Sequence, residues 1–200
     1  VAYFSETSDC FDPKALAKIE AQIMSSHLLK ANNLTGDFVG TRGFSVVFTR
    51  DGVDQVLKQF PAFAPYVTTL LDPACNAFYL NPLLLTGGSR VDPHIDRSLR
   101  AYCKTVDTPA EVSVLYVRVP EDLAGGKLVL RHGKREVGRV QPQTNKLVRF
   151  QGNLSHEVTA VATTVTGQRL SLVCEQYMLE PGMLEQIPAF RIEGQRMRVG

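Results

Sequence analysis

At 200 residues and 44% hydrophobic content, the chain has enough apolar material for one compact domain with a sizeable core. Its formal net charge is only +2 and its basic residues are scattered, which argues against a nucleic-acid partner. No apolar stretch approaches a membrane span, the N-terminus lacks a signal-peptide pattern, and Cys10, Cys75, Cys103 and Cys174 form no Cys-x-x-Cys pair, so a cytoplasmic protein with buried free thiols is expected.

In chain order, Asp12-Pro13 opens the first helix, because Asp caps free amides and Pro suits the first helical position. Leu16, Ile19 and Ile23 share one face, and the pattern fades near Asn32-Asn33, which places His27 late in the helix as a surface or partly packed residue. A short strand over Phe44–Phe48 precedes an amphipathic segment carrying Val53, Val56, Leu57 and Phe60, which Pro61 and Pro65 interrupt. Residues 1–75 thus read as a helical buttress.

From Asn76 the character changes to short apolar or alternating runs: Val112–Val119, Lys127–Arg131, Lys146–Phe150, Val158–Ala162 and Arg169–Glu175. Gly125-Gly126, His132-Gly133 and Pro142–Asn145 supply the turns, and no helical pattern intervenes to build parallel units. The expected fold is mainly β with N-terminal helices, an antiparallel barrel or jelly roll over residues 76–177. A tail over 178–200, broken by Pro181-Gly182 and Pro188, is expected either to cover one end of it or to be partly mobile. The whole chain, 1–200, reads as one domain.

Extended backbone through Asp92-Pro93-His94-Ile95-Asp96 puts His94 and Asp96 on one side, where both can reach one metal. Two imidazoles and a carboxylate on one triangular face suit iron(II) with open positions opposite, and His156, just before a predicted strand, is the third candidate. His-x-Asp alone arises easily by chance, and a lone histidine is more often a surface or satisfied core residue. Arg169-Leu170-Ser171 adds weight, because it presents a guanidinium and a hydroxyl on one strand face, a pair able to grip a carboxylate. Other polar residues read as structural: His132 in a hairpin turn and Glu157 pointing away from the metal; Arg97 and Arg100 read either as solvated surface or as contacts to an acidic substrate, and are not counted as catalytic.

The order His-x-Asp, distant His, Arg-x-Ser resembles the 2-oxoglutarate and iron(II)-dependent oxygenase superfamily. Ser155-His156-Glu157-Val158, Gly167-Gln168-Arg169-Leu170-Ser171-Leu172, and the run from Val112-Ser113-Val114-Leu115-Tyr116 through Gly125-Gly126 to Lys127-Leu128-Val129-Leu130 are similar to its prolyl-hydroxylase-like branch. The likeness covers roughly residues 76–177. It implies a cupin-like double-stranded β-helix, iron(II) held by His94, Asp96 and His156, and Arg169 bound to the far carboxylate of 2-oxoglutarate with help from Ser171. Tyr79 stands where the plant-type branch places another contact to that carboxylate, with Asn76 near the place of its companion asparagine. The implied reaction hydroxylates an unactivated C–H bond of a small molecule or peptide, such as a prolyl or other amino-acid side chain, and releases succinate and carbon dioxide, with ascorbate as a reductant. Two alternatives stay open: a barrel that senses a metal or 2-oxoglutarate without turnover, and a cupin-like metalloenzyme that does not use 2-oxoglutarate. The Arg-x-Ser element argues against the latter.

Overall fold

The computed structural model describes residues 2–31 and 35–193. The first part of the chain supplies β1 (Phe4–Thr7), α1 (Pro13–Met24), β2 (Lys30–Ala31), β3 (Phe38–Val39), β4 (Arg42–Gly43), β5 (Ser45–Thr49), α2 (Val53–Gln59) and α3 (Ala64–Thr69). The remainder supplies β6 (Ala77–Leu85), β7 (Arg90–His94), β8 (Glu111–Arg118), β9 (Leu128–His132), β10 (Arg135–Val140), β11 (Leu147–Gln151), β12 (Ser155–Val158), β13 (Arg169–Tyr177), α4 (Pro181–Leu184) and β14 (Phe190–Glu193). No helix among the described residues is long and apolar enough to cross a membrane.

Helix α1 forms for the expected reason: Asp12 accepts from the amides of Lys14 at 2.9 Å and Ala15 at 3.4 Å, and Leu16, Ile19 and Ile23 are buried. It ends at Met24, earlier than the pattern suggested, and Asn32-Asn33 lie outside the described residues. The serines explain the stop. Ser25 donates its hydroxyl to the Gln22 carbonyl at 3.4 Å and Ser26 accepts from the Leu28 amide at 3.2 Å, so local bonds compete with further helix and His27 falls in the turn beyond.

Two antiparallel sheets make a jelly roll. The major sheet runs β1-β11-β8-β13-β6-β4-β2, with β5 also paired to β6 and β14 to β5; the minor sheet runs β10-β9-β12-β7-β3. Strand β13 lies at the centre of the major sheet, and its two faces divide by parity. Leu170, Leu172 and Cys174 pack outward with Ile19, Ile23, Phe48, Phe78 and Leu115, under the helices, while Arg169, Ser171, Val173 and Glu175 line the cavity between the sheets. Val112, Val114, Tyr116, Leu128, Leu130, Phe150 and Leu154 fill the remaining space between sheets. All four cysteines are free and three of them are buried.

Three features depart from the sequence reading. The strand expected over Val158–Ala162 is Ser155–Val158, because after Val158 the chain turns to serve several partners: Thr159 donates to Lys127, Val161 to Ser89 and Ala162 to Ala124. His156 is therefore inside a strand, not before one. Strand β6, a wholly buried strand, contains Pro82, which on one edge falls between the stretch paired with β5 and the stretch paired with β4, so on that edge its missing amide interrupts no ladder, while on the other it sits opposite Leu172 of β13. Finally, the first third supplies five short strands to the sheets in addition to its helices.

The turn at Gly125-Gly126 offers a test of the packing. Gly125 has φ +76° and a Cβ there would lie 2.0 Å from the Ala160 carbonyl oxygen, whereas Gly133 has φ +59° and open space around it. Gly133→Ala should cost roughly 1–2 kcal/mol from backbone strain alone, and Gly125→Ala about 1–3 kcal/mol more from overpacking. Urea unfolding of both variants checks this, and equal losses would show that the close approach at Gly125 is absent.

Candidate active site

Strands β12 and β7 pair with His156 opposite His94, so two imidazoles meet on one face with ring centroids 4.3 Å apart. Just past β7 the side chains still alternate, Ile95 out, 39% exposed, and Asp96 in. The Asp96 carboxylate then lies between the rings, 3.2 Å from His94 Nε2 and 3.3 Å from His156 Nε2. One ligand atom from each of the three residues falls within 4.8 Å of the others.

The outer nitrogens decide what this cluster wants. His94 Nδ1 faces the Asp92 carbonyl at 2.8 Å and His156 Nδ1 the Leu154 carbonyl at 3.3 Å, so a proton on each Nδ1 is used by the backbone. The Nε2 lone pairs are left pointing at a carboxylate, acceptor against acceptor, an arrangement that a shared cation relieves. Charge shifts agree: burial works against the His94 imidazolium, but the Asp96 carboxylate outweighs it and raises the His94 pKa. Burial also opposes ionised Asp96, yet His156 and His94 together hold its carboxyl well below the usual range. Phe38 packs 5.4 Å from the His94 ring and Phe150 4.9 Å from the His156 ring, which fixes both imidazoles.

A cavity of about 840 Å³ opens beside the three. At one end, Arg169 is 2% exposed and donates Nη1 to the Gly126 carbonyl at 2.7 Å, a contact that the Gly-Gly turn permits by close approach. Its guanidinium lies over the Tyr116 ring at 4.9 Å. Register places Tyr116 directly opposite Ser171, on the face that also carries Arg169. Arg169 Nε, the Ser171 hydroxyl and the Tyr116 hydroxyl are all buried without a hydrogen-bond partner among the described residues. Three unused donors on one inward face call for an acceptor, and a carboxylate matches them in charge and in lone pairs.

Residues 79–174 match the family model of the 2OG-Fe(II) oxygenase superfamily. Through this barrel the chain belongs to that superfamily. No curated protein matches the chain by sequence. Solved structures share its fold: a Pseudomonas putida prolyl-4-hydroxylase (TM-score 0.61, 18% identity, covering 90% of this chain and 95% of that one) and a Trichoplax adhaerens prolyl hydroxylase in complex with a hypoxia inducible factor peptide fragment (0.60, 13%, 88% and 84%). A third is a viral collagen prolyl hydroxylase from Paramecium Bursaria Chlorella virus-1 in a 2OG complex (0.53, 14%, 86% and 94%). Membership makes the chain an oxygenase, and the family implies iron(II) and 2-oxoglutarate. The donor sets just described fit both groups.

Of the residues singled out in the sequence, His94, Asp96 and His156 come together, and Arg169 and Ser171 line the same cavity. Tyr79 does not join them at the carboxylate end. It pairs with Glu175, four residues along β13 from Ser171, which is about 13 Å at strand rise; its hydroxyl donates to Glu193 at 3.2 Å. Asn76 lies outside the cavity and ties the tail down, bonding Leu179 through both ends of its amide at 2.8 and 2.9 Å. Glu157 pairs with Arg131 at 2.7 Å.

Tyr116 and Glu175 escaped the sequence reading, although parity could have found both: each is the polar residue on an inward face that is otherwise apolar along its strand or carries Arg169 and Ser171. Glu175 is buried and accepts from the Ser98 amide at 3.1 Å, the Ser98 hydroxyl at 2.5 Å and the Tyr177 hydroxyl. Burial, then the negative charge of Asp96, pushes its pKa up to about 8. Through Ser98 it fixes the turn that follows Asp96. Glu175→Ala in the oxygenase should therefore weaken iron(II) binding about tenfold or more, as loss of an outer-shell support does. Metal titration alongside circular dichroism checks this, and unchanged affinity in a folded variant removes Glu175 from that role.

Proposed function

We propose that the oxygenase uses His94, Asp96 and His156 to hold iron(II), and Arg169, Ser171 and Tyr116 to hold the far carboxylate of 2-oxoglutarate, and that it hydroxylates an aliphatic C–H bond of an amino-acid side chain. The observation that carries this reading is the cluster of three unpartnered buried donors in the barrel that also bears the two-histidine, one-carboxylate face. The bound pair supplies the oxidising power: substrate C–H, dioxygen and 2-oxoglutarate give substrate C–OH, succinate and carbon dioxide.

The chain's own groups do the rest. His94 and His156 would hold the ion through neutral imidazoles and Asp96 through its carboxylate, a three-ligand set that would leave room for cosubstrate and dioxygen. The Asp92 and Leu154 carbonyls hold each ring in the tautomer that ligates through Nε2. Arg169, with Nη1 committed to Gly126, turns its remaining edge to the carboxylate, and its desolvation makes that ion pair strong. Leu83, Val91, Val112, Leu128 and Val158 line the cavity with apolar surface, which excludes water from the reacting bond. The likeness in fold to prolyl hydroxylases supports an amino-acid side chain as the substrate class.

His94→Ala, Asp96→Ala and His156→Ala should each abolish succinate formation measured with iron(II), 2-oxoglutarate, dioxygen and ascorbate. A variant that stays folded and keeps wild-type turnover is not a ligand.

Arg169→Lys keeps the charge and loses the fork, so the KM for 2-oxoglutarate should rise roughly ten- to hundredfold, the equivalent of about 1.5–3 kcal/mol. Iron affinity should stay near wild type. Ser171→Ala and Tyr116→Phe should raise KM by smaller factors, since each removes one neutral donor. An unchanged KM in Arg169→Lys would refute the carboxylate clamp.

A further inference from the structure

The cavity continues beyond the three clustered ligands to a second polar end that the reaction as described does not use. Register rows trace it across the major sheet: Glu175 on β13 lies opposite Tyr79 on β6, Tyr79 opposite Val47 on β5, and Val47 opposite Arg191 on β14. Arg191 and Glu193 sit two residues apart on β14, on the side that lines the cavity. From β13 to β14 is three strand spacings, about 14 Å, so these charges stand well away from the Arg169 end.

Tyr102 organises the pair. Its ring lies under the Arg191 guanidinium at 5.8 Å, and its hydroxyl donates to the Glu193 carboxylate, which also accepts from Tyr79 at 3.2 Å. An arginine and a glutamate at this spacing would ordinarily close on each other. Among the described residues neither makes an ion pair, because the tyrosine stands between them and engages each from one side. The other charged side chains at this end have partners of their own: Asp37 accepts from the Thr35 hydroxyl at 3.1 Å, and Arg97 approaches Asp107 at 4.0 Å. What remains is a positive and a negative side chain that do not pair with each other, on backbone positions some 6–7 Å apart at strand rise, both lining the cavity.

We propose that this pair is a headgroup site for a free α-amino acid: Glu193 receives the ammonium, Arg191 the carboxylate, and the side chain extends between the sheets toward His94, Asp96 and His156. The inference rests on the hydroxylase reading above and narrows its substrate from amino-acid side chains in general to those of free zwitterions. A residue inside a peptide carries neither charge, and would offer neither group of β14 an ionic partner.

The test uses the iron-loaded enzyme with 2-oxoglutarate. Succinate formation is measured with a panel of free aliphatic, cyclic and basic amino acids, with their N-acetyl and methyl-ester forms, and with short peptides holding the same residues internally. Binding of the same compounds is measured anaerobically by calorimetry. At least one free amino acid should bind and stimulate succinate release, and blocking either end should abolish both effects. Glu193→Gln and Arg191→Gln should each raise the KM and the dissociation constant of that amino acid tenfold or more, with a smaller change in kcat. The site assignment is overturned if internal peptides or blocked forms serve as well as the free compound, if neither substitution weakens binding, or if no free amino acid binds. Succinate released without any added substrate reports separately on the oxygenase reading: its presence beside absent amino-acid binding sinks the headgroup site alone, and its absence under every condition sinks the oxygenase reading, while calorimetry still decides whether the amino acid binds.

Discussion

The pairing of β12 with β7 in the register that sets His156 opposite His94 is the constraint on which the site depends, because side chains alternate faces and a slip of one residue would turn His156 out of the barrel. Two features hold that register. On its other edge β12 pairs with β9, placing Leu130 opposite His156, so the strand cannot slide without breaking two ladders. Past Val158 the chain is tied on through Thr159 and Val161 to Lys127 and Ser89, and the Gly125-Gly126 turn is held against the same segment by Gly126 donating to Thr159. That turn also offers the Gly126 carbonyl to Arg169. One local arrangement thus fixes a histidine of the triad and the orientation of the guanidinium.

Parity on β13 distributes the chemistry. Its outward residues weld the sheet to the helices, and its inward residues run Arg169, Ser171, Val173, Glu175: a cation, a hydroxyl, an apolar spacer and a carboxylate along a single row. The cavity therefore grades from positive at the Arg169 end to negative at Asp96, beside which Glu175 is pushed toward its neutral form. The Asp96 charge favours a cation between the imidazoles; it is the charge that raises His94 and that adds to burial in raising Glu175. Anions are drawn to the opposite end. A dicarboxylate that spans from Arg169 to a metal at the triad lies along this gradient, and the central strand of the barrel sets its direction.

Much of this was readable from the residues. The helix cap at Asp12, the strands around Val112, Lys127, Lys146 and Arg169, and the inward agreement of Arg169 with Ser171 all follow from periods of 3.6 and 2, which depend only on near neighbours. What failed depended on distant partners. The start of β12 was misplaced because Val158–Ala162 looks like a strand by composition, whereas its bonds are divided among Ala124, Lys127 and Ser89. The role expected of Tyr79 came from its likeness to a plant-type position, and only the β6–β13 register shows that it faces Glu175 and Glu193. Strand β14 and its charges were invisible for the same reason, since four residues near a chain end carry no periodic signal, and their meaning comes from β5 beside them.

Tyr116 shows how an energetic cost can identify a functional group. Its ring gives Arg169 an aromatic surface in a site where burial alone disfavours the guanidinium and lowers its pKa. A phenylalanine would provide that ring. The hydroxyl adds nothing to packing and, without a partner, costs on the order of 1–3 kcal/mol; the Ser171 hydroxyl and Arg169 Nε carry similar penalties. Against a typical total stability of about 5–15 kcal/mol, three such costs in one corner are large. Stability does not account for them. An acceptor bound by all three would account for them, and because it would bind the folded chain alone it would return that free energy as stabilisation of the loaded enzyme. The preorganised corner is thus less stable empty than an apolar one would be, and the same deficit is what makes it selective for a carboxylate over any neutral group of equal size.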